Sequence, residues 1–186
     1  MSASARHHQI AGEFSRLVQA TSDWNAATPV AQWRARDIVT HLLDWLPPVL
    51  HAWSNLDLPA ENGDLAQRWS FRTEAVQQLL EDSNNADAVL SNGPFAGGTV
   101  GGVIDQIYTA DIYQHTWDLA KSTGQNPQMD PDIARNMLSG MRQMEEALRS
   151  SGQYGPAIPT ASTDPVEQLV AFIGRDPQWQ SPPTEG

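Results

Sequence analysis

From Val103 to Thr123 the chain contains neither glycine nor proline, so a single helix can run through the whole segment. Ile104, Ile107, Tyr108, Ile112 and Leu119 recur at helical spacing along it, which marks one apolar face. On such a helix Asp111 and His115 are four residues apart and stand one above the other. A carboxylate and an imidazole placed this way can direct lone pairs at one point and share a metal ion. Asp118 follows three residues after His115, on nearly the same face.

The same spacing occurs earlier, in Asp37-Ile-Val-Thr-His41-Leu-Leu-Asp44. Ile38, Leu42 and Trp45 give that segment an apolar stripe of its own. Two helices, each carrying one histidine, can aim both at a common point in a helical core. Asp37 repeats the placement of Asp111 and is an equal candidate for the carboxylate ligand on spacing alone. Asp37, Asp44 and Asp118 each lie within about a turn of a histidine. Any of them can accept the second imidazole N–H and so fix its tautomer.

The formal net charge of −11 argues against a polyanionic partner such as DNA or RNA, which requires a concentrated basic face. It also disfavours attraction to anionic lipid. No run approaches the ~18 apolar residues of a membrane span. The opening Met1–His8 lacks an apolar stretch of signal-peptide length, so a cytoplasmic location is expected. The chain has no cysteine, so any thiol chemistry needs a thiol from outside.

The helices are expected as follows. The first spans about residues 4–21, with Ile10, Phe14, Leu17 and Val18 inward and the adjacent His7 and His8 in solvent. The second begins near Trp33 and is ended or kinked by Pro47-Pro48, which leaves His51 outside any site. The third spans 63–82, with Leu65, Trp69, Val76, Leu79 and Leu80 inward. Residues 83–102 read as a flexible loop whose glycines lack the G-K-[ST] of a phosphate-binding loop. The 103–123 helix ends at Gly124, and a fifth runs from Asp130-Pro131 to Gly152 with Ile133, Met137, Met141, Met144 and Leu148 inward. A short last helix covers 165–173, and the Pro-rich tail from Gly174 onward is expected to be loosely ordered. No alternating run of strand length is present. The fold class is therefore all-α, with one metal-binding domain over residues 1–179 and a flexible tail at 180–186.

Trp33-x-x-x-Asp37-x-x-x-His41 followed by Asp111-x-x-x-His115-x-Trp-Asp-Leu-Ala-x-x-x-Gly124 resembles the DinB-like superfamily. The likeness is greatest to actinobacterial proteins related to the metal-binding domain of mycothiol-dependent maleylpyruvate isomerase. The segments Tyr154-Gly155-Pro156-Ala-Ile-Pro159 and Phe172-Ile-Gly174-Arg175-Asp176-Pro177-x-Trp179 are similar to a largely uncharacterised branch of that family. The resemblance implies an up-down-down-up four-helix bundle with an extra short C-terminal helix. It also implies one divalent metal, typically zinc with nickel or iron as alternatives, held by His41, Asp111 and His115. The isomerase carries Glu where this chain has Asp111, and it has a further C-terminal domain, so its substrate is not expected to transfer.

Three protein ligands leave a coordination position open, which suits a catalytic metal. A group entering that position has its pKa lowered, whether it is water or a thiol. The leading expectation is a transferase or isomerase in which a small external thiol such as mycothiol attacks a small electrophile. The alternatives are a non-catalytic metal- or ligand-binding bundle and metal-assisted hydrolysis. A homodimer joined through exposed tryptophans is a further expectation.

Overall fold

The computed structural model describes residues 1–182. Its regular structure is helical, with no strand among the described residues beyond two isolated bridge pairs. The long helices are α1 (Ala3–Ala20), α2 (Ala35–Asp44), α3 (Leu46–Ser54) and α4 (Leu65–Glu81). Short helices α5 (Ser83–Ala86) and α6 (Val100–Val103) lead into a π-helical segment, Ile104–Thr109, which continues as α7 (Ala110–Thr123). The chain then forms α8 (Pro131–Gln143), α9 (Glu145–Ser150) and α10 (Pro165–Phe172). Residues 183–186 of the expected tail lie outside the described residues.

Helix α1 packs on α4, on α7 and on the π-helical segment, while α2 packs on both α4 and α7. Helix α10 packs on α8. The stripes read from the sequence are the buried ones: Ile10, Phe14, Leu17 and Val18 from α1, Ile38 and Leu42 from α2, and Trp69 and Val76 from α4. Phe14 meets the edge of Trp69 at 4.6 Å between ring centroids, and the Trp69 indole N–H donates to Ser15 Oγ at 2.8 Å. The aromatic pair is thus both packed and polar-satisfied. No helix among the described residues is long and apolar enough to cross a membrane.

The break at Pro47-Pro48 is as expected, since α2 ends at Asp44; the two prolines fall in the first turn of α3, where their missing N–H groups cost nothing. Several details differ from the sequence reading. Residues 83–102 are not a slack loop. Leu90 N–H donates to Gly98 O and Val100 N–H to Ala88 O, so the segment folds back on itself before α6. The fifth helix breaks at Met144, which turns its side chain to solvent. Trp69 and Trp117 are buried and the other five tryptophans are half-buried.

His7 is buried, against the expectation of a solvated pair. It stands three, four and seven residues before Ile10, Ala11 and Phe14, so it shares their inward face. Its Nδ1 is 2.7 Å from Gln77 Oε1 on α4, and its Nε2 has no partner among the described residues. The interior cost falls on the charged form, and burial pushes the imidazole below its ordinary pKa of 6.5.

Candidate metal centre

Helices α2 and α7 bring His41, Asp111 and His115 together, with one ligand atom from each lying within 4.8 Å of the others. His41 Nε2 is 3.0 Å from Asp111 Oδ2. His115 Nε2 is 3.5 Å from Asp111 Oδ1, so each imidazole faces a different oxygen of the same carboxylate. Ligands about 2.0–2.1 Å from a tetrahedral zinc stand roughly 3.3 Å apart. Each of the two separations lies near that distance, though each runs to a different oxygen of Asp111, and the donor set of two imidazoles and one carboxylate suits a zinc-type ion.

The aromatic surroundings of the centre come from the same elements. Trp33 stacks on His115 with ring centroids 5.7 Å apart and tilts against His41 at 5.1 Å. One indole thus covers both imidazoles. Gln32, immediately before it, holds φ at 68°, the left-handed conformation that side chains seldom adopt. On the other side Trp45 donates its indole N–H to Asp111 Oδ2 at 3.0 Å and meets the edge of Tyr108. Tyr108, from the π-helical segment, donates its hydroxyl to Leu42 O and so ties that segment to α2. A widened π turn beside a site of convergent ligands is a common association.

The far nitrogen of His115 is held as a metal ligand's usually is. His115 Nδ1 is 2.9 Å from Asp118 Oδ2, and Asp118 is fully buried. Donation from Nδ1–H to the carboxylate leaves Nε2 as the lone-pair nitrogen facing Asp111. Asp118 also accepts from Arg175, from Nε at 3.3 Å and from Nη2 at 3.2 Å. Sequence reasoning placed Asp118 near His115 but missed Arg175. The segment carrying Arg175 was expected to be slack, yet Gly174 to Trp179 is a packed turn. Gly174 has φ +90°, and a Cβ there would meet Pro156 O at 3.1 Å, so glycine is needed.

The other two acidic candidates lie elsewhere. Asp37 caps α2 by accepting from the Arg34 backbone N–H at 2.7 Å. The Asp44 carboxylate is exposed and 3.6 Å from Arg68 Nη2. Neither joins the cluster, because an N-terminal cap and a solvent-facing ion pair satisfy them first. His51 is exposed and 2.9 Å from Asp57.

The electrostatics follow the contacts. Burial alone lifts the Asp111 carboxyl, but facing His115, the His41 hydrogen bond and the Trp45 indole together hold it below its ordinary value. Burial likewise opposes charge on His115, yet Asp111 and Asp118 outweigh it and raise that imidazole above 6.5. Asp118 is pushed up by burial and brought below its ordinary value by His115 and Arg175. Asp111 and Asp118 are thus both held in the anionic form at neutral pH; the charge of Asp118 is matched by Arg175, which leaves Asp111 as the carboxylate facing both imidazoles. Tyr154 stands nearby, its phenol raised by burial and by the charge of Asp111.

The chain is similar over most of its length to two curated proteins. Both are from Mycobacterium tuberculosis: uncharacterized protein MT0763 of strain CDC 1551 / Oshkosh and uncharacterized protein Rv0738 of strain ATCC 25618 / H37Rv. Each is 28% identical over 156 residues, covering 80% of this chain and 82% of the relative. No protein-family model matches the chain. No solved structure matches it either.

Proposed function

We propose that this protein is a cytoplasmic DinB-like four-helix bundle that binds one divalent cation at His41, Asp111 and His115. Its activity is that of a transferase or isomerase in which a small external thiol, mycothiol-like, attacks a small electrophile. The observation that carries the reading is the convergence of two imidazoles and one carboxylate within 4.8 Å, drawn from helices 70 residues apart. The pairwise packing of α1, α2, α4 and α7 supports the bundle. Zinc is the expected ion, because nitrogen-rich sites with one carboxylate suit it, with nickel or iron as substitutes.

When bound, the cation supplies Lewis acidity at its open position, which lowers the pKa of a thiol entering there. The chain's own residues do the rest. Trp33 lies against both imidazoles and Trp45 against His41, which gives the centre an aromatic lining for a small organic substrate. Asp118 fixes the orientation of His115. The chain has no cysteine, so the nucleophilic sulfur must come from a cosubstrate.

The test is an assay of zinc-loaded protein with a small thiol and a panel of electrophiles, run beside ester and amide panels. Turnover of the electrophile that needs both the thiol and zinc and disappears in His41→Ala is the expected result. Ester or amide cleavage without thiol would instead assign metal-assisted hydrolysis. Zinc binding with turnover in neither panel would make the protein a non-catalytic binder.

A further inference from the structure

We infer that Arg175 is a positioning residue for the metal centre, acting through Asp118 on His115 and thereby linking cation affinity to docking of the C-terminal segment. The inference rests on the proposed His41–Asp111–His115 site. Its basis is a continuous chain of contacts: Arg175 Nε and Nη2 reach the two oxygens of Asp118 at 3.3 and 3.2 Å, and Asp118 Oδ2 is 2.9 Å from His115 Nδ1. Asp118 is fully buried, so its charge needs compensation, and Arg175 is the cation that provides it.

The planar fork of arginine contacts both carboxylate oxygens at once, which fixes the plane of the carboxylate as well as its charge. With that plane fixed, Oδ2 faces His115 Nδ1 and the opposite nitrogen faces Asp111. The third arm of the fork donates to Ile173 O at 3.3 Å. The turn after α10 is further held to α7 by Lys121 Nζ on Pro177 O at 3.5 Å. The guanidinium thus occupies the junction between the docked tail and α7. By linkage, an interaction in which tail docking favours the cation site requires the cation to favour tail docking equally.

Zinc titration by calorimetry, with Arg175→Gln, Asp118→Asn and the double variant, tests this directly. Partners of a ligating histidine typically contribute about 10–100-fold in metal affinity, so each single variant is expected to weaken zinc by that factor. The double variant should bind no more weakly than Asp118→Asn alone, since Arg175 acts through Asp118. Arg175→Lys, which keeps the charge but loses the fork, should fall between parent and Arg175→Gln. In the parent, zinc should slow amide hydrogen exchange at Arg175, whose N–H donates to Val170 O. Parent-like zinc affinity in both Arg175 variants, or fully additive losses in the double variant, would overturn the inference while leaving the metal site intact. Failure of the parent to bind zinc would overturn both.

Discussion

His41 Nε2 lies 3.0 Å from Asp111 Oδ2, although 70 residues separate the two in sequence. The contact joins α2 to α7 and brings together the two repeats of the D-x-x-x-H spacing. Only one of the two aspartates enters the centre. Asp37 is committed to the start of its own helix, whereas Asp111 follows the π-helical segment and faces His41.

The Trp45 indole is the donor that orients Asp111 besides the histidines. Trp45→Phe keeps the apolar ring and removes the hydrogen bond, so zinc affinity should fall by about tenfold, the lower end for an outer partner of a ligand. Competition against a chromophoric chelator reads this. An unchanged affinity would mean that Asp111 is placed by packing alone.

Zinc affinity should also depend on pH. His115 has its pKa raised above 6.5, and the proton must leave before its nitrogen can bind a cation. The apparent affinity should therefore fall as pH falls, with the decline already under way above pH 6.5. Its limiting slope is about tenfold per pH unit for each proton displaced. A flat affinity between about pH 8 and about pH 5 would contradict the assignment of His115 as a ligand.

His7 makes a separate prediction about stability. Its folded-state pKa lies below 6.5, so the unfolded chain binds the extra proton first, and the contribution of His7 is full above pH 6.5. That contribution is lost as pH falls from 6.5 toward the folded value. In metal-free protein His115 works in the opposite direction, being stabilising below 6.5 and less so as pH rises through its folded value. The difference between parent and His7→Gln isolates the first effect. Urea unfolding should show the parent's advantage shrinking on acidification, and a constant difference would show that His7 is not held neutral.

Phe14 and Trp69 test the core. Phe14 is fully buried against the Trp69 ring, so Phe14→Ala should cost about 3–5 kcal/mol. For a chain of this size that corresponds to a Tm lower by roughly 6–20 °C. Thermal unfolding followed by circular dichroism measures it. A shift of a degree or two would mean that the α1–α4 interface repacks around the gap.

Much of this architecture is legible in the sequence because helix stripes are local. Ile10, Phe14, Leu17 and Val18 declare one face of α1 through spacing alone, and His41 and His115 stand out because a histidine four residues after an aspartate occurs twice; the repeat leaves Asp37 and Asp111 equal, and the family resemblance favours Asp111. The same rule read more strictly would have found His7, which precedes Ile10, Ala11 and Phe14 at inward spacings. The π-helical segment leaves no such mark, since Ile104–Thr109 contains no glycine or proline to signal it. Arg175 was hidden for another reason. Its partner Asp118 is 57 residues away, and only the Gly174 turn, in a proline-rich stretch, brings the guanidinium back to α7.

The measurement that bears most directly on the metal centre is the metal content of the purified protein by mass spectrometry, beside His41→Ala and His115→Ala. About one equivalent of zinc in the parent, lost in both variants, is the predicted result. No metal in the parent even after zinc or nickel is offered, or full retention in both variants, would contradict the assignment of this cluster as a metal site.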